Sequence, residues 1–431
     1  MLKKLLLGSI LGFMFIHMAF NEFKIIDIPP LKGYIYKPEK VELNDRSWFS
    51  GEYQLHQEDY MTSMFGFRSL YVRFHNQLGF LLFKKVYANG VVLGKENYLY
   101  EQKYIDSYKG KDFLGLDSID LKVKQMKLVS DGLAKVGKQL VIVFAPSKAS
   151  FYPEFIPDSF KKINDSTNYK FFSKGVKAAG LNVIDFNKWF IENKYRSKYP
   201  LYPKYANHWS NYGAVLAADS LINYIQYLRN IDLPNISYDT VDMKQPFGID
   251  YDIADGMNLF VRFKSVNMAY PRIHFENDEK KIRPAVLVIG DSFYWNMYGF
   301  GISKSFKDDH FWYYNEQVYP ETAKEELLTS DIDITNEIEK HDVFIVMATE
   351  SNLSSIGWGF FENLQNFFTG SWEVRVNALN LSKKLKQMKK DIQTDNAWME
   401  QIRQKATARN ISVDSMLTID AQWLMENQAK K

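Results

Sequence analysis

The stretch Val286-Leu287-Val288-Ile289-Gly290-Asp291-Ser292-Phe293 decides the reading of this 431-residue chain. A short, unbroken apolar run suits a strand buried on both faces of a parallel sheet, because neither face meets water. The run passes directly into Gly290-Asp291-Ser292. It therefore delivers Ser292 to the carboxyl edge of the sheet, where open α/β sheets bind their ligands. Gly290 permits a tight turn there, Asp291 lies within it, and the N–H groups of Ser292 and the residues beyond can face a developing oxyanion. Asn296, four residues on, is a second oxyanion candidate or a helix-surface residue. Gly-Asp-Ser turns are common; the buried strand in front makes Ser292 a candidate nucleophile.

Outward from this stretch, strands alternate with helices. Ile119 to Val136 has a helical period and ends at Gly137, and Leu140 to Phe144 is another buried strand. Phe171 to Ala179 reads as a helix ended by Gly180, Val183 to Phe186 as a strand and Tyr212 to Leu228 as a helix. Val343 to Ala348 closes the series as a strand. The alternation predicts a three-layer α/β domain with a parallel sheet. Earlier in the chain, Leu55 to Phe83 reads as helical, and Asn89-Gly90 predicts the turn of a hairpin whose strands include Val91–Leu93 and Tyr98–Tyr100. After Gly370 the pattern becomes helical, with Trp398, Ile402 and Ala406 on one face, Ser412 as a cap, and Lys383 to Lys390 as a solvated basic face.

At the amino end, Lys3-Lys4 precede an apolar run from Leu5 to Phe20 without a small-x-small cleavage site. This predicts an uncleaved export anchor with the body outside. Pro29, Pro30 and Pro38 mark a linker behind it. The expected division is 1–26 anchor, 27–47 linker, 48–370 catalytic domain and 371–431 helical appendage.

Composition narrows the chemistry. There is no cysteine, which excludes disulfides, thiolate metal sites and a cysteine nucleophile. The net charge of +3 and the absence of a recognisable motif give no reason to expect nucleic acid. The 16% aromatic content suits either a bulky core or a sugar-binding surface. A serine nucleophile needs a base, and only seven histidines are available. His208, in Asn207-His208-Trp209-Ser210 just before a helix, is the best placed. Lys148 follows a strand end and reads as a solvated lysine able to meet an acidic glycan. Asp250, Asp252 and Asp255 lack the spacing of a calcium loop, so no metal and no cofactor are expected.

Together, Asn207-His208-Trp209-Ser210 and Gly290-Asp291-Ser292-Phe293 resemble the AlgJ/AlgX family of alginate O-acetyltransferases. In that family an SGNH-hydrolase-like domain is circularly permuted, with the His segment before the Ser segment. Phe65-Gly66-Phe67-Arg68, Val92-Leu93-Gly94-Lys95, Ala145-Pro146-Ser147-Lys148 and Tyr152-Pro153-Glu154 extend the likeness over roughly Trp48 to Phe368. The resemblance implies Ser292 as nucleophile, His208 as base and an acetyl-serine intermediate. It also implies an exported polysaccharide as acceptor and an acetyl donor fed by a multi-spanning membrane acyltransferase. The expected location is extracytoplasmic, on the periplasmic side. The family places Asp two residues before the His, and here that residue is Ala206. Three arrangements remain open: another acid substitutes, with Glu350 and Asp185 the candidates at strand ends; the pair works as a dyad; or the protein is weak or inactive. Beside O-acetyl transfer stand carbohydrate ester hydrolysis and a non-catalytic glycan-binding subunit of an export complex.

Overall fold

The computed structural model describes residues 1–23, 27–33, 38, 40–64, 66–160, 165–320, 327–369, 384–385, 387–409 and 413–428. Its strands are β1 (Val91–Leu93), β2 (Leu99–Glu101), β3 (Gln139–Ala145), β4 (Asn182–Asp185), β5 (Ile236–Lys244), β6 (Met268–Phe275), β7 (Ala285–Gly290), β8 (Asp308–Tyr313), β9 (Gln317–Tyr319) and β10 (Val343–Thr349). The central sheet runs β4-β3-β10-β7-β8-β9. All neighbours in it are parallel except β8 and β9.

Every residue of β7 and β10 is buried, as continuous apolar strands require. Alternate side chains feed two separate cores. Val141, Val143, Val286, Val288, Val343 and Ile345 pack with the helix Asn211–Arg229. Leu140, Ile142, Leu287, Ile289, Phe344 and Val346 pack with the helices Leu116–Lys135 and Phe360–Thr369. Helices thus cover both faces of the sheet, and the expected three layers are present. Gly137 at φ +73° ends its helix: its N–H and that of Lys138 donate to the carbonyls of Ala134 and Leu133.

Several local expectations need correction. The predicted Leu55–Phe83 helix is two helices, Glu52–Met64 and Arg68–Phe83. β1 and β2 form the predicted ribbon, but Asn89-Gly90 precedes it. The turn itself is a 3₁₀ segment, Lys95–Asn97. β8 escapes the sequence pattern because it opens on Asp308-Asp309-His310, polar residues in an interior strand. The antiparallel β5–β6 ribbon was also unanticipated, because most of β5 is exposed and carries no apolar run.

The amino-terminal segment forms the helix Leu2–Phe23, with Leu5, Leu6, Phe15 and Ile16 exposed. Its buried His17 shares a 2.7 Å hydrogen bond with the Tyr71 hydroxyl. Among the described residues no helix is long and apolar enough to cross a membrane. The following segment is docked rather than free: Arg73 donates to the carbonyls of Pro29 and Pro30, and Lys32 pairs with Asp255 and Asn258. At the other end, Asn396–Arg409 and Val413–Gln428 share their own small core of Ile402, Ala406, Met416 and Leu417. The expected Ser412 cap, and Lys383 and Lys386 of the basic run, lie outside the described residues.

The helix that follows His208 is seated through Gly213. A Cβ there would lie 2.9 Å from the carbonyl oxygen of Leu201 and from the Phe190 ring. Backbone cannot step aside cheaply, so Gly213→Ala should cost about 1–3 kcal/mol. A denaturant midpoint lowered without a change in slope is the expected signature.

Candidate active site

Ser292 leaves the sheet immediately after β7, as its sequence context predicts. The turn that carries it is held by Asp291, which is fully buried. Asp291 Oδ1 accepts from the Phe293 N–H at 3.1 Å. Its Oδ2 accepts from the Thr349 N–H, the Thr349 hydroxyl and the Asn352 amide, each at 2.8 Å. One carboxylate thus ties the serine turn to the end of β10. Gly290 does not supply a left-handed turn, and a Cβ there would make only ordinary contacts.

His208 reaches the same edge on a loop that is fixed residue by residue. The Ser210 hydroxyl caps the helix Asn211–Arg229 by accepting from the Gly213 N–H at 2.9 Å. Trp209, fully buried, donates its indole N–H to Asn296 Oδ1 at 3.2 Å. The Phe293 ring lies 4.8 Å from the imidazole, centroid to centroid. Beneath the loop, the Lys148 ammonium donates to the carbonyls of Lys204 at 2.8 Å and Ala206 at 2.5 Å. Lys148 is therefore a buried loop anchor and not a solvated lysine. Burial lowers its pKa to about 7, partly opposed by the Asp252 and Glu101 carboxylates.

The imidazole bridges two groups. His208 Nε2 lies 2.8 Å from Ser292 Oγ, and Nδ1 lies 2.6 Å from Asp252 Oδ2. The other oxygen, Asp252 Oδ1, accepts from the N–H groups of Asn207 at 2.9 Å and Ile253 at 2.5 Å. An ionised carboxylate only accepts, so the proton sits on Nδ1 and Nε2 is free to accept from the serine hydroxyl. Burial of His208 disfavours the imidazolium, but the Asp252 hydrogen bond and charge outweigh it and raise the pKa above 6.5.

The carboxylate on His208 is thus Asp252, and neither Glu350 nor Asp185 is there. Glu350 accepts from the Ser150 hydroxyl, and burial lifts its pKa to about 7. Asp185 caps the helix Phe186–Asn193 and binds the Tyr169 hydroxyl and Lys177. The sequence presents Asp250, Asp252 and Asp255 only as a metal-loop candidate. In the structure they diverge: Asp250 accepts from the Asn211 N–H, while Asp255 pairs with Lys32 and Arg262. A carboxylate in the loop between β5 and β6, 44 residues from the histidine, gave no signal of its role.

The expected oxyanion donors are narrowed too. The N–H groups of Phe293, Tyr294 and Trp295 donate to Asp291 Oδ1, the Asp291 carbonyl and the Ser292 carbonyl. The Ser292 N–H is the turn donor left for an oxyanion. Asn296 uses its carbonyl oxygen to hold Trp209. One other group among the described residues has metal-ligand character: His310, Glu337 and His341, with ligand atoms within 4.8 Å of one another. It sits toward the amino ends of β8 and β10, away from Ser292. Lys340 Nζ lies 3.1 Å from His310 Nε2, so the group already contains a cation.

Removing the carboxylate should be visible on the imidazole itself. In Asp252→Asn, burial is no longer opposed by that charge, and the His208 pKa should fall below its wild-type value, toward or under 6.5. An NMR titration of the ring protons reads this without any turnover.

Residues 91–246 match the family model for the SGNH hydrolase-like domain of acetyltransferase AlgX. That match contains His208 and stops before Asp252 and Ser292. A Pseudomonas syringae pv. tomato protein named "Probable alginate O-acetylase AlgJ" is 30% identical over 132 residues, 31% of this chain and 32% of that protein. The chain thus spans about a third of that relative's length. Among solved structures, the O-acetyltransferase domain of Pseudomonas putida AlgJ aligns with a TM-score of 0.43 and 16% identity, covering 64% of this chain and 99% of that one. Pseudomonas aeruginosa AlgX gives 0.42 and 14%, covering 65% and 68%. Bacillus cereus PatB1 gives 0.40 and 14%, covering 61% and 96%. Over residues 91–246 this chain is therefore similar to the SGNH hydrolase-like domain of the AlgJ/AlgX family.

Proposed function

We propose that this protein is an O-acetyltransferase that passes an acetyl group through Ser292 to a hydroxyl of a polysaccharide. The observation that carries the reading is the line Ser292 Oγ–His208 Nε2, His208 Nδ1–Asp252 Oδ2, at 2.8 and 2.6 Å. The family model for acetyltransferase AlgX and the name of the AlgJ relative support acetyl as the group carried and a polysaccharide as the acceptor.

The chemistry balances without a cofactor. Ser292 Oγ attacks the acetyl carbonyl while its proton moves to His208 Nε2, and Asp252 stabilises the imidazolium. The Ser292 N–H faces the oxyanion. As the donor's C–O bond breaks, His208 returns the proton to the leaving oxygen, and acetyl-Ser292 remains. An acceptor hydroxyl then gives its proton to His208 and attacks the acyl carbon; as the bond to Ser292 Oγ breaks, His208 passes that proton to Oγ and the free serine is restored. Water in place of the glycan hydroxyl would give an esterase by the same steps. The non-catalytic alternative rested on the missing acid at Ala206, and Asp252 removes that support.

The placement is part of the same proposal. Lys3 and Lys4, followed by the exposed apolar side chains of the helix Leu2–Phe23, support attachment to a membrane with the body on the extracytoplasmic side. The donor would then come from an acyltransferase embedded in that membrane.

Ser292→Ala should abolish turnover of a chromogenic acetyl ester while leaving the thermal midpoint nearly unchanged. Intact mass of the wild type mixed briefly with the ester should reveal one added acetyl group, on the peptide containing Ser292. Full turnover in the mutant would overturn the serine mechanism. Asp252→Ala should lower kcat by about 10⁴-fold, as loss of a triad acid does elsewhere. Glu350→Gln and Asp185→Asn should stay far closer to wild type. Ala206→Asp should not raise the rate, because the position is fully buried and the imidazole already has its carboxylate. Because the base must be neutral, the wild-type pH–rate profile should rise along a limb centred above 6.5.

A further inference from the structure

Beyond Ser292 the same sheet edge carries an unusual concentration of partly exposed aromatic rings. Tyr313 ends β8, and Tyr314 follows it with its N–H donating to the Gly290 carbonyl at 2.9 Å. Trp295, three residues after Ser292, lies 5.5 Å from the Tyr313 ring. Tyr313 and Tyr314 are 4.5 Å apart, and Trp358 meets Tyr314 edge-on at 5.2 Å. The Tyr314 hydroxyl pairs with Asn352, whose amide binds Asp291 in the serine turn. The four rings thus come from the end of β8 and from the segments that follow β7, β8 and β10, and they converge on the nucleophile's turn.

Their backbone is costly. Tyr314, Asn315 and Trp358 all have left-handed conformations, with φ of +52°, +53° and +44°. Bulky residues rarely adopt this region, and such strain persists where surrounding structure enforces it, commonly at ligand sites. Asn315 is part of the enforcement, since its amide donates to the Trp358 carbonyl at 2.9 Å. A glycine at position 314 or 358 would relieve the strain, yet an aromatic ring occupies each.

We propose that Trp295, Tyr313, Tyr314 and Trp358 form a stacking platform that seats a sugar ring of the acceptor glycan beside Ser292. The C–H face of a sugar ring is apolar and packs on an aromatic face by dispersion, while its hydroxyls stay at the rim. The platform gives the acceptor what Ser292 cannot: a fixed approach of one hydroxyl to the acyl carbon. This rests on the transferase reading and names the part of the site that would favour a glycan over water.

The test measures glycan binding by tryptophan fluorescence and titration calorimetry on full-length Ser292→Ala protein. The probes are polymannuronate and cellohexaose, one acidic and one neutral. Tyr314→Gly and Trp358→Gly remove the rings while relaxing the backbone, so both should melt no lower than Tyr314→Ala and Trp358→Ala. Each should weaken glycan binding by about tenfold or more, as loss of one ring contact would. Tyr314→Phe and Trp358→Tyr should restore most of the affinity. Unchanged affinity in both glycine variants, or no binding of either probe by the parent, overturns the platform. Binding that follows this pattern in a protein whose Ser292 never acylates would retain the platform and sink the acyl-enzyme reading instead.

Discussion

The Asp252 carboxylate joins the two segments on which the candidate site depends. One oxygen takes the Asn207 and Ile253 N–H groups, and the other takes His208 Nδ1. Charge-assisted bonds of this kind contribute roughly 1.5–3 kcal/mol each where a charged group is a partner. Their more important effect is directional. They fix both the tautomer and the azimuth of the imidazole, so that Nε2 meets Ser292 Oγ. Without the carboxylate the ring would lose the contact that sets that angle, while Ser210, Trp209 and Lys148 would still hold the loop.

The support around this contact is polar, and its two buried charged groups are both partnered. Asp291 ties the serine turn to the end of β10, and Lys148 ties the histidine loop to the end of β3 through the carbonyls of Lys204 and Ala206. Both groups are fully buried. Buried charges are tolerated where every partner is in place, and removing one partner leaves the other exposed to a dry interior. The sheet edge is therefore rigid for the same reason that it is vulnerable: three strand ends and two loops share a few ionic hydrogen bonds.

Much of this was legible in the sequence. Val286–Ile289 and Val343–Ala348 read as buried strands because they are apolar on both faces, and each strand was found. His208 was legible as the histidine beside a confident helix start. Asp252 was not, because the contact between it and His208 is tertiary and spans 44 residues without any periodic or spacing signal. Glu350 and Asp185 stand out in the sequence by position alone, as acids at strand ends where a ligand would bind. Position misleads here because strand ends are also where helices begin: Asp185 caps one, and Glu350 opens a 3₁₀ turn that buries it. The aromatic cluster was visible only as a percentage. Its placement depends on β8, an interior strand hidden by its polar first half.

Asp252 sits in a different environment from the acids near it. A triad acid must stay ionised while the histidine gains and loses its proton. Burial lifts Glu350 to about 7 and Asp250 to about 6, so each would hold a proton for part of the time near neutrality. Asp252 keeps 29% of its side chain exposed, with one oxygen on two backbone N–H groups and the other on His208 Nδ1. Its open side faces a cleft of about 1080 Å³ shared with Lys32, Arg68 and Lys103. With Ala206 two residues before the histidine, His208 Nδ1 still has a carboxylate partner. The carboxylate on Nδ1 comes from another segment of the chain, 44 residues from the histidine, and not from a residue at a fixed short spacing.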